Sequence, residues 1–96
     1  MNTIKFDWDE NKAIRNLAKH KISFKEAQSV FDDDNARLIF DPDHSEDEDR
    51  FILLGLSCYL KVLVVVHCYK DEKNVIRLIS ARKATKPEEK NYKELL

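Results

Sequence analysis

The sequence has very little glycine, proline or cysteine. Its 96 residues include one glycine, two prolines and two cysteines. Long flexible linkers and internal repeats are absent, and the length predicts a single domain over residues 1–96. Cys58 and Cys68 lack metal-ligand spacing, and no export signal precedes them. We therefore expect reduced thiols rather than a disulfide or a zinc site.

Long apolar runs are also missing. The longest uninterrupted one, Val62 to Val66, has the length of a strand and falls far short of the roughly 20 residues that cross a bilayer. The opening residues, MNTIKFDWDE, contain no apolar signal-peptide core, so we expect a cytoplasmic protein with no membrane partner. No glycine-rich phosphate loop, nucleophile elbow or metalloprotease helix is present, which leaves nucleotide-driven and serine-hydrolase activities without support.

Charge is abundant but unevenly divided. Residues 1–60 contain eight Lys and Arg against 13 Asp and Glu, whereas residues 61–96 contain nine against five. The basic last third predicts a local anion site rather than a general coat for nucleic acid. Residues 32–49 are strongly acidic and include His44, but this stretch lacks the glycine and ligand spacing of a calcium loop. No metal or cofactor is expected.

Two helices are predicted in the N-terminal third. Asp9 and Ser23 can cap helices at about Glu10–His20 and Phe24–Phe31, because their side-chain oxygens accept unpaired first-turn N–H groups. The residues that share an apolar face are Ile14, Leu17 and Ala18 in the first helix, and Phe24, Ala27, Val30 and Phe31 in the second.

Strand-length apolar runs follow the helices. They are ARLIF (36–40), RFILLGLS (50–57), LKVLVVVHCY (60–69) and VIRLISA (75–81). Short gaps between the last three favour an antiparallel meander. Thr85 and Glu88 form a capping-box pattern, so a last helix should begin after Thr85. The predicted fold class is α+β, with two N-terminal helices, an antiparallel sheet of about four strands and a C-terminal helix.

Candidate chemistry is concentrated where the last strand meets the last helix. Arg77, Arg82 and Lys83 precede Glu89 and Tyr92. A guanidinium binds phosphate through two donors in a fixed fork, and Glu89 and Tyr92 share a helix face at a spacing of three. Such groups can transfer protons and stabilise charge beside a phosphate. The alternative is a rim of solvated salt bridges.

Other candidates have two readings each. His67, within an apolar strand, can act as a general acid or base, or can be a hydrogen-bonded, half-buried side chain. Arg50 can bind phosphate or pair with the preceding acidic loop. Lys12 and Lys19, together with Asn16 on the first helix, can bind RNA or a partner, or can form an ordinary polar face.

Several motifs taken together resemble the BrnT family of type II toxin–antitoxin toxins. They are WDENKAIRNLAKH (8–20), SFKEAQSVFDD (23–33), HSEDEDR (44–50) and IRLISARKAT (76–85), followed by Glu89 and Tyr92. The resemblance spans nearly the whole chain. It departs at Lys21, where relatives often have glycine, so Lys21 must end the first helix without glycine's freedom at positive φ.

The resemblance implies a RelE-like fold and a ribonuclease that stops translation. It also implies a separate BrnA-like antitoxin with a ribbon-helix-helix part, through which alone operator DNA would be bound. The implied site comprises Arg50, Arg77, Arg82 and Tyr92, with His67, Lys83 and Glu89 as further members. The expected mechanism is metal-free attack by the RNA 2′-hydroxyl, which gives a 2′,3′-cyclic phosphate and a 5′-hydroxyl. A non-catalytic protein-binding module is the alternative, since the acidic loop would suit a basic partner.

Overall fold

The computed structural model describes residues 4–41, 49–70, 74–94 and 96. Its elements are β1 (Lys5–Asp7), α1 (Glu10–His20), α2 (Phe24–Ser29), a 3₁₀ turn (Val30–Asp32), β2 (Arg37–Asp41), β3 (Arg50–Leu56), β4 (Val62–Lys70), β5 (Val75–Lys83) and α3 (Lys86–Lys93). The predicted α+β class is confirmed, and the predicted helices and strands are present, although the second helix ends at Ser29 and residues 30–32 form a 3₁₀ turn where the α-helix was predicted to reach Phe31. The acidic loop with His44 lies outside the described residues.

Five strands form one sheet in the order β1-β5-β4-β3-β2. The four strands β2 to β5 are antiparallel, as predicted. The prediction of about four antiparallel strands omitted β1, which pairs in parallel with the first three residues of β5. The sequence indicates a short extended segment at residues 4–6, but three residues cannot show an alternating pattern, so only the pairing with β5 places the strand in the sheet.

Helix α1 begins and ends where the sequence predicts. The Asp9 carboxylate accepts hydrogen bonds from the N–H groups of Asn11, at 2.8 Å, and Lys12, at 3.3 Å. At the other end Lys21 adopts a left-handed conformation with φ of 61°, and its N–H donates to the Leu17 carbonyl at 2.9 Å. Lys21 therefore makes a left-handed helix exit without glycine's freedom at positive φ.

The packing face of α1 differs from its apolar face. Ile14 and Leu17 are 60% and 49% exposed, whereas Asn16 is 7% exposed. The Asn16 amide accepts from Ala81 N–H at 3.1 Å and donates to the carbonyls of Ala81 at 2.8 Å and Ile22 at 2.9 Å. Because β1 covers only the start of β5, the edge of β5 is open at Ala81. The Asn16 side chain takes the place of a neighbouring strand there. Because the backbone N–H and carbonyl of Ala81 require hydrogen-bond partners, α1 is oriented with Asn16 toward β5.

The sheet buries apolar residues on both faces. The α1/α2 face packs Leu53, Leu63, Val65, Ile76, Leu78 and Ala81 against Ile22, Phe24, Ala27 and Val30. The α3 face packs Leu54, Val62 and Val64 against Tyr92. The central strand β4 is therefore buried on both sides over Val62 to Val65, as its unbroken apolar run predicts.

Two local features hold the ends of this arrangement. Thr85 and Glu88 form the predicted capping box at the start of α3. The single glycine, Gly55, permits close approach of the 3₁₀ turn, since a β-carbon there would lie 2.8 Å from Ala36 Cβ and Val30 Cγ1. The two cysteines are not joined. Cys58 is exposed and Cys68 is buried, and neither forms a disulfide.

In the described parts of the chain, no helix has the length and apolarity to cross a membrane.

Candidate functional site

The predicted arginines of β3 and β5 share the α3 face. On β5, Arg77 pairs with Cys68 and Arg82 pairs with Val64. Directly paired residues lie on one face, and residues 64 and 68 of β4 share a face because they are an even number apart. Arg50 lies two residues before Ile52, which pairs with Val66 of the same row. We call Arg50, Arg77 and Arg82 the arginine cluster because they share this face, on which Arg77 and Arg82 lie about 13 Å apart along β5.

A β-bulge makes this cluster possible. Arg77 and Arg82 are five residues apart, so strict alternation would place them on opposite faces. The register shifts between Val66 and His67, because Val66 pairs with Ser80 while His67 pairs with Leu78. The extra residue, Ile79, reverses the alternation and returns both arginines to one face. Strands β3 and β5 flank β4, so they lie about 10 Å apart.

Arg82 is held by Glu88. The guanidinium donates from Nη1 to Oε1 at 2.8 Å and from Nη2 to Oε2 at 2.9 Å. The hydrogen bond from Arg82 lowers the pKa of Glu88 from 4.5 to about 2, against the opposing effect of burial, and the same bond raises the pKa of Arg82. Glu88 also accepts from the Thr85 N–H at 2.8 Å. The helix cap thus presents to Arg82 the paired oxygens that a phosphate would present.

The other two arginines have different surroundings. Arg77 forms an ion pair with Asp7 at 3.2 Å from Nη2, because β1 pairs Asp7 with Arg77 in register. Arg50 is half-buried, and its Nε is buried without a hydrogen-bond partner in the described structure. An unsatisfied buried donor is unfavourable, so an incoming acceptor would be stabilised there.

His67 lies on the opposite face. It is 0% exposed and pairs with Phe51, and its ring lies edge-on to Phe31 and Tyr69 at centroid distances of 4.9 and 5.3 Å. Nδ1 lies 3.2 Å from the Val65 carbonyl, which can only accept, so Nδ1 donates and Nε2 accepts from the Tyr69 hydroxyl at 3.3 Å. Burial lowers the pKa of His67. The structure does not bring His67 together with the arginine cluster.

Tyr92 anchors α3. It is 4% exposed, and its hydroxyl donates to Asp33 Oδ2 at 2.5 Å. Burial, with a further effect from Asp33, raises the pKa of Tyr92 to about 12. Burial would raise the pKa of Asp33, but hydrogen bonds from Tyr92 and from the Leu56 and Asn35 N–H groups outweigh it and lower that pKa. The phenol is therefore a poor acid with an occupied hydroxyl.

Glu89 lies three residues before Tyr92 on α3. Its side chain is partly exposed, and its Oε1 is 3.6 Å from Lys93 Nζ. Unlike Glu88, it forms no ion pair with an arginine in the described part of the chain. A carboxylate in this position can accept a proton from a substrate at the α3 face.

The predicted lysines lie elsewhere. Lys83 pairs with Leu63 and so belongs to the α1/α2 face, opposite Arg82. Lys12 and Lys19 are exposed on α1 and line a groove of about 330 Å³ between α1 and β5. Its lining consists of Lys12, Arg15, Asn16, Lys19, His20, Ile79 and Ser80.

Sequence reasoning missed four residues near these surfaces. Arg15 and His20 share the groove with Lys12 and Lys19, and helical spacing alone identifies them. Arg37 reaches the α3 face by pairing with Leu54. Ser80 belongs to both the groove and the α3 face, which only the bulge reveals.

Two comparisons with known proteins, one with family models and one with solved structures, both match this chain to BrnT. A family model described as "Ribonuclease toxin, BrnT, of type II toxin-antitoxin system" matches residues 8–88. The matched range includes the arginine cluster and Glu88 and ends before Glu89. Among solved structures, the chain is similar to the Brucella abortus ribonuclease toxin BrnT, with a TM-score of 0.66 and 24% identity over 88% of this chain and 100% of that chain. At this identity the likeness shows a shared fold. No curated protein matches.

Proposed function

Because the chain belongs to the BrnT family of ribonuclease toxins of type II toxin–antitoxin systems, we propose that it stops translation by cleaving RNA at the arginine cluster. The observation that supports this proposal most directly is the placement of Arg50, Arg77 and Arg82 on one face of β3 and β5, the two strands that flank β4. Guanidinium groups bind phosphate oxygens through paired donors and stabilise the charge that grows on them during phosphoryl transfer. We further propose that this occurs in the cytoplasm.

The proposed chemistry is internal attack within the RNA. The ribose 2′-oxygen forms a bond to the adjacent phosphorus, and the bond from phosphorus to the 5′-oxygen breaks. The products are a 2′,3′-cyclic phosphate and a 5′-hydroxyl. The 2′-hydroxyl proton goes to a base, and the 5′-oxygen takes a proton from solvent. The step is balanced without a cofactor or metal ion.

We assign a role in the reaction to each predicted site residue from the surroundings of its side chain. Arg82 stabilises the negative charge that grows on the phosphoryl oxygens, together with a second arginine, either Arg50 or Arg77. Glu89 is the proposed base, because it is partly exposed on the helix bordering the α3 face. His67 is less well suited, since its ring is buried on the other face. Tyr92 is a positioning residue that fixes α3 through Asp33.

The proposed partner is a BrnA-like antitoxin with a ribbon-helix-helix part. Toxins of this type are encoded with a protein that neutralises them, and the basic last third of this chain offers an acidic segment a complementary surface. Operator DNA would be bound by the antitoxin and not by this chain.

The experiment that tests the activity is RNA cleavage in EDTA, with free RNA and with translating ribosomes as substrates. We expect cleavage with cyclic-phosphate ends. Arg82→Ala should reduce the rate by about 100- to 1,000-fold. Arg82→Lys should restore it only partly, because an ammonium lacks the two-pronged fork. Lys90→Ala, which removes an exposed cation of the neighbouring helix α3, is the matched control and should cleave normally.

Two results would contradict the proposal. Full activity of folded Arg82→Ala would remove this residue from the site. A requirement for a divalent ion would contradict the metal-free mechanism. Intact RNA under every condition, together with tight binding to a partner protein, would favour the alternative of a non-catalytic protein-binding module.

A further inference from the structure

We propose that the groove between α1 and β5 binds the phosphodiester backbone of RNA and anchors the strand that enters the arginine cluster. We call Lys12, Arg15 and Lys19, together with His20 beside them, the basic groove. The part of this proposal that concerns cleavage rests on the proposed function, whereas RNA binding by the groove can be measured without it.

The geometry of α1 brings these cations together. Lys12, Arg15 and Lys19 are spaced by three and four residues, so they share one side of the helix. At 1.5 Å per residue their backbone span is about 10 Å, which is long enough for more than one phosphate of a strand. Ile79 and Ser80 of β5 form the opposite wall of the groove.

The stability of the helix favours Lys19 and His20, which lie in the last turn of α1, but it does not explain Lys12 and Arg15. Like charges three and four residues apart repel each other on a helix surface. Lys12 also lies near the start of α1, where the helix dipole disfavours a cation. In the described part of the chain, Lys12, Arg15 and Lys19 form no ion pair with a carboxylate. These charges are therefore available to an external anion.

Ser80 joins the basic groove to the arginine cluster. It lines the groove, and it also pairs with Val66 on the α3 face, two residues from Arg82. Its hydroxyl forms no hydrogen bond with another described residue and can donate to a phosphate oxygen. A strand that leaves Arg82 across Ser80 would enter the basic groove directly.

Asn16 keeps the groove in place. Its amide is fully engaged with the Ala81 and Ile22 backbones, so it fixes the distance between α1 and β5 rather than binding a ligand. The groove therefore has a hydrogen-bonded floor, with the exposed side chains of Lys12, Arg15 and Lys19 above it. This is the arrangement by which a positively charged groove follows a nucleic-acid backbone without reading its sequence.

Binding is tested with 2′-O-methyl RNA, which cannot be cleaved by the proposed mechanism. The variant is Lys12→Gln, Arg15→Gln, Lys19→Gln. The matched control is Lys25→Gln, Lys61→Gln, Lys90→Gln, which makes the same change in net charge at exposed positions elsewhere. For a 20-nucleotide strand we expect at least tenfold weaker binding by the groove variant, and a reduction of about 2 in the slope of log affinity against log salt. The control should bind nearly as the parent does.

Cleavage kinetics separate this proposal from the proposed function. With long RNA, the groove variant should show a raised KM with little change in kcat, and with a trinucleotide it should equal the parent. Equal loss of binding in the groove and control variants would overturn the groove proposal. If the parent binds RNA through the groove but cleaves none, the proposed function fails and the groove remains. Retained RNA binding with lost antitoxin binding would instead identify the groove as a protein contact and overturn the proposal.

Discussion

At the scale of single residues, Arg82 shows how a carboxylate can hold a guanidinium in position at a proposed anion site. Glu88 occupies both prongs of its guanidinium, and the same carboxylate caps α3 through Thr85. A phosphate must therefore share or displace this carboxylate. The contact holds the guanidinium in place at the α3 face while the site is empty, and it also competes with the substrate.

The Glu88 contact predicts a specific pH dependence of stability. The pKa of Glu88 is about 2 in the folded chain against an ordinary 4.5, so its contribution is fully present above about pH 4.5 and is lost as the pH falls toward 2. Glu88→Gln should remove this component, since the amide does not titrate. Thermal unfolding between pH 2 and 6 measures it, and Glu94→Gln is the exposed control. Identical pH profiles for parent and Glu88→Gln would contradict the assignment.

His67 shows that an unusual residue in an apolar strand need not be catalytic. Its two ring nitrogens have partners, and its pKa is lowered by burial, so it is neutral at pH 7. The sequence left a catalytic and a structural role open. The contacts favour the structural one, while a proton-transfer role for His67 stays an untested prediction.

At the scale of elements, the docking of α1 depends on one amide. Asn16 satisfies both backbone groups of Ala81 at an edge that β1 does not reach. The helix therefore leaves Ile14 and Leu17 exposed along an open groove of about 230 Å³, which Trp8 and the buried Phe24 also line. The hydrogen bonds from Asn16 to the backbone of Ala81 therefore stabilise the fold more than burial of Ile14 and Leu17 would.

Asn16→Ala should lower the free energy of unfolding by about 3 kcal/mol, because it leaves buried backbone groups of Ala81 and Ile22 without partners. Urea unfolding measures the loss. Asn11→Ala, an exposed asparagine of the same helix, is the control and should change stability by less than about 0.5 kcal/mol. A similar small change for Asn16→Ala would show that α1 docks by other contacts.

At the scale of the whole molecule, the uneven charge suggests how inhibition works. The net-positive residues 61–96 contain most of the proposed site, while the acidic stretch lies earlier in the chain. RNA and an acidic segment of the antitoxin would compete for one surface. Desolvation would offset much of the Coulomb gain from buried pairs, so such pairs would add specificity more than affinity.

Hydrogen exchange of the chain with and without antitoxin tests this. We expect the antitoxin to protect residues 77–92, because covering the arginine cluster is the direct way to exclude RNA. Residues 42–48 of the acidic stretch lie outside the described residues, and their charge predicts repulsion of RNA and attraction to basic residues of the antitoxin. Protection confined to Glu10–His20, with residues 77–92 unchanged, would show that inhibition does not depend on covering the cluster.

The sequence by itself determined the local features of this protein. Asp9, Ser23 and Thr85 predict where the helices begin, since each cap satisfies N–H groups within three residues of itself. The unbroken apolar run of β4 predicts burial on both faces, because a strand that is covered on both sides has apolar side chains at successive positions. The α+β class and the resemblance to the BrnT family also follow from residues read in order.

Only the tertiary structure decided which distant residues meet. The pairing of β1, the use of Asn16 as an edge partner and the hydrogen bond from Tyr92 to Asp33 join positions that no local pattern connects. The bulge at Ile79 is the decisive case. One extra residue reverses the alternation of β5, so Arg77 and Arg82 share a face. Strict alternation along the chain would place them on opposite faces. Register is a property of paired strands, which is why the site took shape only in the fold.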